Sequence, residues 1–406
     1  MNSGENCEVL LRVENLCRYF KVGEGVLKAV DNVSFDIRKG EVFGLVGESG
    51  CGKTTTGRSI IRIYDITSGS IFFKGQRICA GTGCFRESIK NAKAEISSLR
   101  RAGGNDSRIA ELEKTIAENR DAIKAAENDH LYSDREYAKR IAAKVEAEYR
   151  EKLAEAGNDR NAVRELNRQY RNDMRTAKKS RLSSKIQMIF QDPMASLNPR
   201  MTVREIIAEG LVINGIRDRE YIDKRVYEIL ELVGLVPEHA GRYPHEFSGG
   251  QRQRIGIARA VIMSPELLIA DEPVSALDVS VQAQVINLLN ELRGRLGLTI
   301  LFIAHDLSVV KYFSDRIGVM YCGKLVELAS SDELFAHPLH PYTRALLSAV
   351  PVPDPRAEKR RKRITYNALT EHDYSTEKPA VREITSGHFV YCSGSEELRY
   401  KKELGL

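Results

Sequence analysis

Apolar residues recur along this chain with two different periods. Val33, Phe35 and Ile37 alternate with polar neighbours and Val9 to Val13 is mostly apolar, so both segments read as strands of an antiparallel sheet. Ser70-Ile71-Phe72-Phe73 reads as a further strand. Tyr19 and Phe20 fall between the first two strands, ahead of a turn at Gly23 and Gly25. Continuous apolar runs at Glu41–Val46, Lys185–Phe190, Leu267–Ala270 and Leu298–Ile303 have the character of strands buried on both faces. Helical patterns cover Thr54–Ile63, with Ile60, Ile61 and Ile63 in the last turn, then Val203–Ile213 and Arg219–Val233, with Gly234 and Pro237 as stops. Another helix opens in Phe247–Arg254 and runs through Ala260, and one more follows Ser275-Ala276-Leu277-Asp278. Strands alternating with helices predict a parallel sheet, with ligand chemistry at the carboxyl ends of its strands.

Between about Cys84 and Ser183 the pattern changes. The segment is rich in Ala, Glu, Lys and Arg, has no proline, and carries narrow apolar seams. Ile109, Leu112, Ile116 and Ile123 form one seam, Ile141, Val145, Tyr149 and Leu153 a second, and Val163, Leu166, Tyr170 and Met174 a third. Turn residues at Ala102–Asp106, Asn128-Asp129-His130 and Ala156–Asp159 divide the segment, which predicts antiparallel helical hairpins. Charges of both signs along each helix suit a solvated arm; a basic arm for a partner, lipid or nucleic acid is the other reading.

Composition adds bounds. A length of 406 residues exceeds one usual core, and 42% hydrophobic with 29% charged residues suits a globular protein. About +5 of the net charge of +6 lies between Phe85 and Arg181, so a uniformly basic nucleic-acid binder is not indicated. The seven cysteines, Cys7, Cys17, Cys51, Cys79, Cys84, Cys322 and Cys392, include no C-x-x-C pair, so neither a disulfide framework nor a zinc site is expected. The first residues have no basic start or apolar core, and no run nears the ~18 apolar residues of a membrane span. Any membrane role is expected to come through a partner.

The chemistry concentrates in Gly47-Glu48-Ser49-Gly50-Cys51-Gly52-Lys53-Thr54, a G-x-x-x-x-G-K-[ST] pattern set between a strand and a helix. Its glycines let successive N–H groups face inward at a helix start, forming an anion nest. Lys53 is then expected to reach the β- and γ-phosphates of a nucleotide, and Thr54 to hold Mg²⁺. Asp271 ends an apolar strand, where a carboxylate needs a cation, and Glu272 follows as a candidate to orient an attacking water. Gln191 and His305 also stand at strand ends, Gln191 as a candidate for the water and metal shell and His305 for a γ-phosphate contact. Ser248-Gly249-Gly250 before a helix is a second nest, which invites a dimer in which each nest closes on the other chain's nucleotide. Tyr19 or Phe20 is either a core aromatic or a platform for adenine.

Taken in order, GESGCGKT, FQDP, FSGGQRQRIGIARA, LLIADEP, SALD and AHD resemble the ATP-binding subunit of an ABC transporter. The resemblance implies an α/β, P-loop NTPase nucleotide-binding domain: a RecA-like core, an antiparallel β subdomain and a helical subdomain, here with an inserted α-helical coiled-coil hairpin region. It further implies that Gly47, Glu48, Ser49, Gly50, Cys51, Gly52, Lys53, Thr54 and Thr55 bind ATP, and that Thr54, Gln191 and Asp271 hold Mg²⁺. Glu272 becomes the catalytic base, with Gln191, Lys53 and the switch histidine His305. Ser248, Gly249, Gly250, Gln251 and the D-loop Asp278 serve the partner chain's ATP. Phe20 matches the adenine-stacking aromatic, with Tyr19 in reserve. Phe190–Arg200, His337–Leu347 and Gly387–Cys392 are similar to oligopeptide and dipeptide importer subunits. The implied partners are transmembrane permease subunits, a second ATP-binding subunit, identical or homologous, and an external substrate-binding protein reached through the permease.

These features divide the chain into residues 1–83 and 184–350 as the two parts of the nucleotide-binding domain, 84–183 as the insertion, and 351–406 as a C-terminal extension. The insertion is read as foreign to the family pattern. No iron–sulfur cluster is expected, since the tail lacks closely spaced cysteines. No nucleic acid is expected as a partner, and the expected location is peripheral, on the cytoplasmic face of the membrane. The basic run Arg356–Arg363 reads as a solvated linker or a contact for anionic lipid. The alternative function is a coiled-coil ABC ATPase of DNA repair or chromosome organisation, against which the short arm and its position before Gln191 both count.

Overall fold

The computed structural model describes residues 8–23, 25–101, 106–157, 159–350, 363–375 and 377–406. Residues 356–362 of the basic run, 102–105 of the first turn and Asn158 of the third lie outside them.

Strands β1 (Val9–Val22) and β2 (Gly25–Arg38) form a long antiparallel hairpin, with Leu11 opposite Ile37 and Phe20 opposite Leu27. Tyr19 and Phe20 therefore sit inside β1 and not between two shorter strands; the alternation that marks the strand extends past Val13 through half-buried positions that sequence pattern alone underweights. Strand β3 (Val42–Val46) runs into the phosphate loop, and helix α1 (Lys53–Ile60) leaves it. This helix is shorter than expected. It stops at Ile60, which is buried, whereas Ile63 is 52% exposed beyond its end. Strands β4 (Ser68–Phe73) and β5 (Gln76–Ala80) complete a four-stranded antiparallel sheet of order β2-β1-β4-β5.

Three helices follow: α2 (Gly83–Arg101), α3 (Asp106–Ala156) and α4 (Arg160–Lys179). The expected turn at Asn128-Asp129-His130 does not form; α3 continues through it for 51 residues. Asn128 spends its amide on the Lys124 carbonyl one turn back, and Asp129 forms a paired contact with Arg77 of β5 at 2.8 and 3.0 Å. Turn-favouring side chains are thus satisfied within a helix, and tertiary contact overrides their local preference. The middle of α3 is the mount of this region. Asp134 accepts the Ser183 N–H at 3.1 Å, and Tyr137 is buried in the core beneath the four-stranded sheet.

From that mount α2 packs antiparallel on the first half of α3, through a buried cluster of Ala92, Ile96, Leu112 and Ile116 and the pairs Arg86–Glu127 and Arg100–Glu113. Helix α4 packs on the second half, where the Tyr149 and Tyr170 rings lie 5.4 Å apart and the Tyr149 hydroxyl donates to Asp173 at 2.5 Å.

The chain returns in β6 (Ile186–Ile189) and passes through helices α5 (Pro193–Ser196), α6 (Val203–Ile213), α7 (Arg219–Leu232) and α8 (Gly249–Val261). Then come β7 (Leu267–Asp271), α9 (Val279–Leu296), β8 (Thr299–Ala304), α10 (Leu307–Phe313), and the hairpin β9 (Arg316–Tyr321) and β10 (Lys324–Ser330). Strands β6, β7, β8, β3 and β9 are mutually parallel. Because successive side chains point to opposite faces, each strand supplies two cores. Val42, Leu268, Ile300 and Phe302 face α6–α10, whereas Phe43, Leu267, Leu301 and Ile303 face the four-stranded sheet.

After α11 (Ser331–Ala336) and α12 (Pro341–Ala349), strands β11 (Ala380–Thr385) and β12 (His388–Cys392) extend the large sheet, giving the order β11-β12-β10-β9-β3-β8-β7-β6. The C-terminal residues therefore continue the main sheet.

Candidate functional site

The phosphate loop leaves the carboxyl end of β3, and two of its glycines are dictated by geometry. Gly47 (φ 149°) and Gly52 (φ 108°) both have left-handed backbone, and a Cβ on either would lie 2.2 Å from the Met320 carbonyl oxygen or 2.3 Å from that of Ala29. Gly52 then precedes α1, whose first N–H groups open onto the loop. Lys53 is 3% exposed and folds back so that Nζ donates to the carbonyls of Gly47 and Glu48 at 2.8 and 2.9 Å. A phosphate would compete for that ammonium. Ser49 and Gly50 are exposed on the loop crest, Cys51 is buried with its thiol pushed up by burial, and Thr55 occupies the first turn of α1.

Asp271 ends β7 at 0% exposure, and its Oδ1 accepts the Thr54 hydroxyl at 2.7 Å. Burial raises the Asp271 pKa, with the Thr54 hydrogen bond opposing it. Its second oxygen, Oδ2, is buried with no partner. An orphaned carboxylate oxygen beside a threonine hydroxyl is a hard oxygen donor set, which fits Mg²⁺. Among the described residues no three His, Cys, Asp or Glu side chains cluster tightly enough to hold a metal alone. The ion would take its remaining oxygens from water or a bound ligand.

One residue on, Glu272 has φ 44°, a conformation uncommon outside glycine and held here by its N–H bond to the Ile303 carbonyl at 2.9 Å. That bend separates the two carboxylates. Glu272 Oε2 accepts from Gln191 Nε2 at 3.0 Å and faces His305 Nδ1 at 3.2 Å. Gln191 follows β6 and His305 follows β8, so the carboxyl ends of β3, β6, β7 and β8 all contribute. A small cavity of about 50 Å³ borders Glu272, Ser275 and His305. Two larger cavities, about 850 Å³ each, lie between α3, α4 and the α6–α7 turn, away from these residues.

The remaining expected residues stand apart from this cluster. Ser248 caps α8, accepting the Gln251 N–H at 3.4 Å while Gln251 Oε1 accepts the Ser248 N–H at 3.0 Å. Gly250 packs so closely that a Cβ would lie 2.5 Å from Val281 of α9, and Gly249 lies beside Leu277. Asp278 precedes α9 without a side-chain capping bond, beside exposed Val279. Phe20 is half-buried, with the Arg18 guanidinium 4.5 Å from its ring centroid and Tyr64 against its edge at 5.6 Å. The Tyr19 hydroxyl is engaged with Asp31 at 2.5 Å.

Two neighbours of the loop escaped the sequence reading. The Gly323 N–H donates to the Cys51 carbonyl at 2.9 Å, and the Tyr342 hydroxyl accepts the Glu48 N–H at 3.0 Å. Tyr342 lies 294 positions from its partner, and no local pattern signals such a contact.

A family model described as "ABC transporter" matches residues 30–170 and 158–275, two stretches that overlap at the start of α4. A second, "Oligopeptide/dipeptide transporter, C-terminal region", matches residues 326–378. The chain is 46% identical over 390 residues to an oligopeptide transport ATP-binding protein of Bacillus subtilis, covering 96% of this chain and 98% of that one. It is 42% identical to a dipeptide transport ATP-binding protein of Lactococcus lactis, covering 98% of each. Among solved structures, a dimeric post-hydrolysis ATP-binding cassette bound to ADP and Pi aligns at TM-score 0.50 and 21% identity, over 79% of this chain and 99% of that one. Part of an ABC transporter complex from Clostridium perfringens aligns at TM-score 0.50 and 22% identity, over 81% and 91%. Both support the fold.

Proposed function

The chain belongs to the ABC transporters, as an ATP-binding subunit of the oligopeptide and dipeptide type, and from that premise we propose how its residues hydrolyse ATP and what they work with. The observation that carries the reading is the meeting of Gln191, Glu272 and His305 beside the Thr54–Asp271 pair.

ATP is the substrate. Its phosphates enter the loop 47–54, where Lys53 leaves the Gly47 and Glu48 carbonyls for the β/γ oxygens, and N–H groups at the start of α1 take the remaining charge. Thr54, Asp271 and the carbonyl end of the Gln191 amide would hold Mg²⁺, which when bound neutralises developing charge on the phosphates. Glu272, steadied between Gln191 and His305, orients the attacking water and takes its proton. Exposed Ser248 and Asp278, with half-buried Gly249, Gly250 and Gln251, serve the ATP of a second such subunit, identical or homologous, and Phe20 supports adenine. ATP, bound preferentially by the closed pair, then drives closure, and hydrolysis reopens it.

The motion is passed to transmembrane permease subunits that receive oligopeptides or dipeptides from an external binding protein. No described helix is long and apolar enough to cross a membrane, so this chain would sit peripherally on the cytoplasmic face. Residues 84–183 remain proposed as an inserted coiled-coil hairpin region between the parts 1–83 and 184–350 of the domain, with 351–406 as extension. The DNA-repair alternative gains no support from the relatives above.

Glu272→Gln keeps the size and the hydrogen bonds but removes the base. It is expected to bind ATP, to lose hydrolysis by ~100-fold or more, and to accumulate as a closed pair on sizing columns. Hydrolysis at the wild-type rate would reject Glu272 as base.

A further inference from the structure

The phosphate loop is gripped from outside as well as from within. Lys53 ties its inner side, while on the outer side the Glu48 N–H donates to the Tyr342 hydroxyl at 3.0 Å. Tyr342 is 2% exposed in the first turn of α12, and its ring packs on Tyr321 at 4.5 Å and Tyr366 at 5.5 Å. The hydroxyl therefore has little freedom.

What aims it is a buried carboxylate. Glu327 of β10, 1% exposed, accepts the N–H groups of Leu339 and His340 at 2.8 and 3.1 Å, which fixes the start of α12. The His340 ring in turn accepts the Tyr342 N–H at 3.2 Å. Glu327 also meets His388 of β12 at 2.8 Å. One carboxylate thus joins a strand of the C-terminal extension to the segment that carries Tyr342.

We propose that Tyr342 is a positioning residue for nucleotide binding: its hydroxyl holds the phosphate loop in its anion-receiving shape, and the C-terminal extension sets that hold through Glu327. The proposal rests on the loop being the ATP site. A loop whose N–H groups already point inward binds phosphate without first being ordered. Removing the outer grip leaves the chemistry of Lys53, Thr54 and Glu272 in place but makes the nest pay for its own order.

The test is Tyr342→Phe in the full chain, which deletes one oxygen and keeps the ring packing. Calorimetric ATP affinity is expected to weaken by about 3–10-fold, the magnitude of one hydrogen bond. The turnover rate at saturating ATP, measured in the assembled transporter, should stay within about twofold, so that KM moves and kcat does not. Hydrogen exchange of the peptide spanning Gly47–Gly52 should be slow in the wild type and quicken in the variant. Glu327→Gln, which weakens the hold on Leu339 and His340, should shift affinity in the same direction by less. Unchanged ATP affinity in Tyr342→Phe overturns the proposal, as does a fall in kcat at constant KM. Wild-type loop amides exchanging at the unprotected rate would overturn it even if the variant failed to fold. A wild-type chain that did not bind ATP at all would instead reject the ATP site itself.

Discussion

Asp271 keeps a carboxylate oxygen buried and unpartnered, and this has a measurable sign. Its folded-state pKa is raised above the ordinary 3.8, chiefly by burial, so the stability linked to its proton is complete below that value and is lost as pH rises through the folded pKa. Asp271→Asn without nucleotide should therefore melt a few degrees above the wild type at pH 7, with the gap closing on acidification. With Mg²⁺ and ATP the order reverses, because only the wild type gains from the ion. Scanning calorimetry of both chains across pH, with and without Mg²⁺ and ATP, checks each half. At this scale the sequence was informative: strand-end positions at Gln191, Asp271 and His305 announced themselves by the apolar runs before them. The φ of 44° that turns Glu272 away from Asp271 did not, because two adjacent acids in a sequence carry no record of the angle between them.

Elements show a sharper division. Helix α6 matches its expected span, and α7 its start, because Thr202 and Asp218 cap helices whose apolar periods are clear. Helix α3 was misjudged at Asn128-Asp129-His130, where residues that favour turns find partners only after the fold has formed. The distinction can be tested with Asn128→Pro. Inside a continuous helix it removes an N–H bond and collides with the preceding turn, costing about 3 kcal/mol, whereas in a turn it would be nearly neutral. The expected outcome is loss of helical circular dichroism and rapid proteolysis near the substitution, with ATP affinity unchanged.

For the whole molecule, the least legible feature was the joining of the last residues to the main sheet. β12 meets β10 through Glu327–Val390 and Leu328–Phe389, a pairing between positions some 60 residues apart, and nothing local in Gly387–Cys392 specifies it. His388 links that strand to Glu327 with both side chains at 0% exposure. Burial alone would lower the His388 pKa, but the bonds to Glu327 and Glu333 outweigh it and raise it above the ordinary 6.5. The contribution is complete below pH 6.5 and is lost as pH rises through the folded pKa. Hydrogen exchange in residues 380–403, corrected for intrinsic rates, should quicken above that range, and His388→Gln should flatten the trend.

Helix α3, seated on the core near Asp129 and Tyr137, extends past its seat by 23 residues towards Asp106 and 19 towards Ala156, or about 35 and 28 Å. Such a bar works as a pointer: a turn of the core by ~10° would sweep its two tips through roughly 6 and 5 Å, by the rise per residue alone. Probes fixed near Arg101 and Ala156 would then magnify small rotations that are difficult to see at the nucleotide itself.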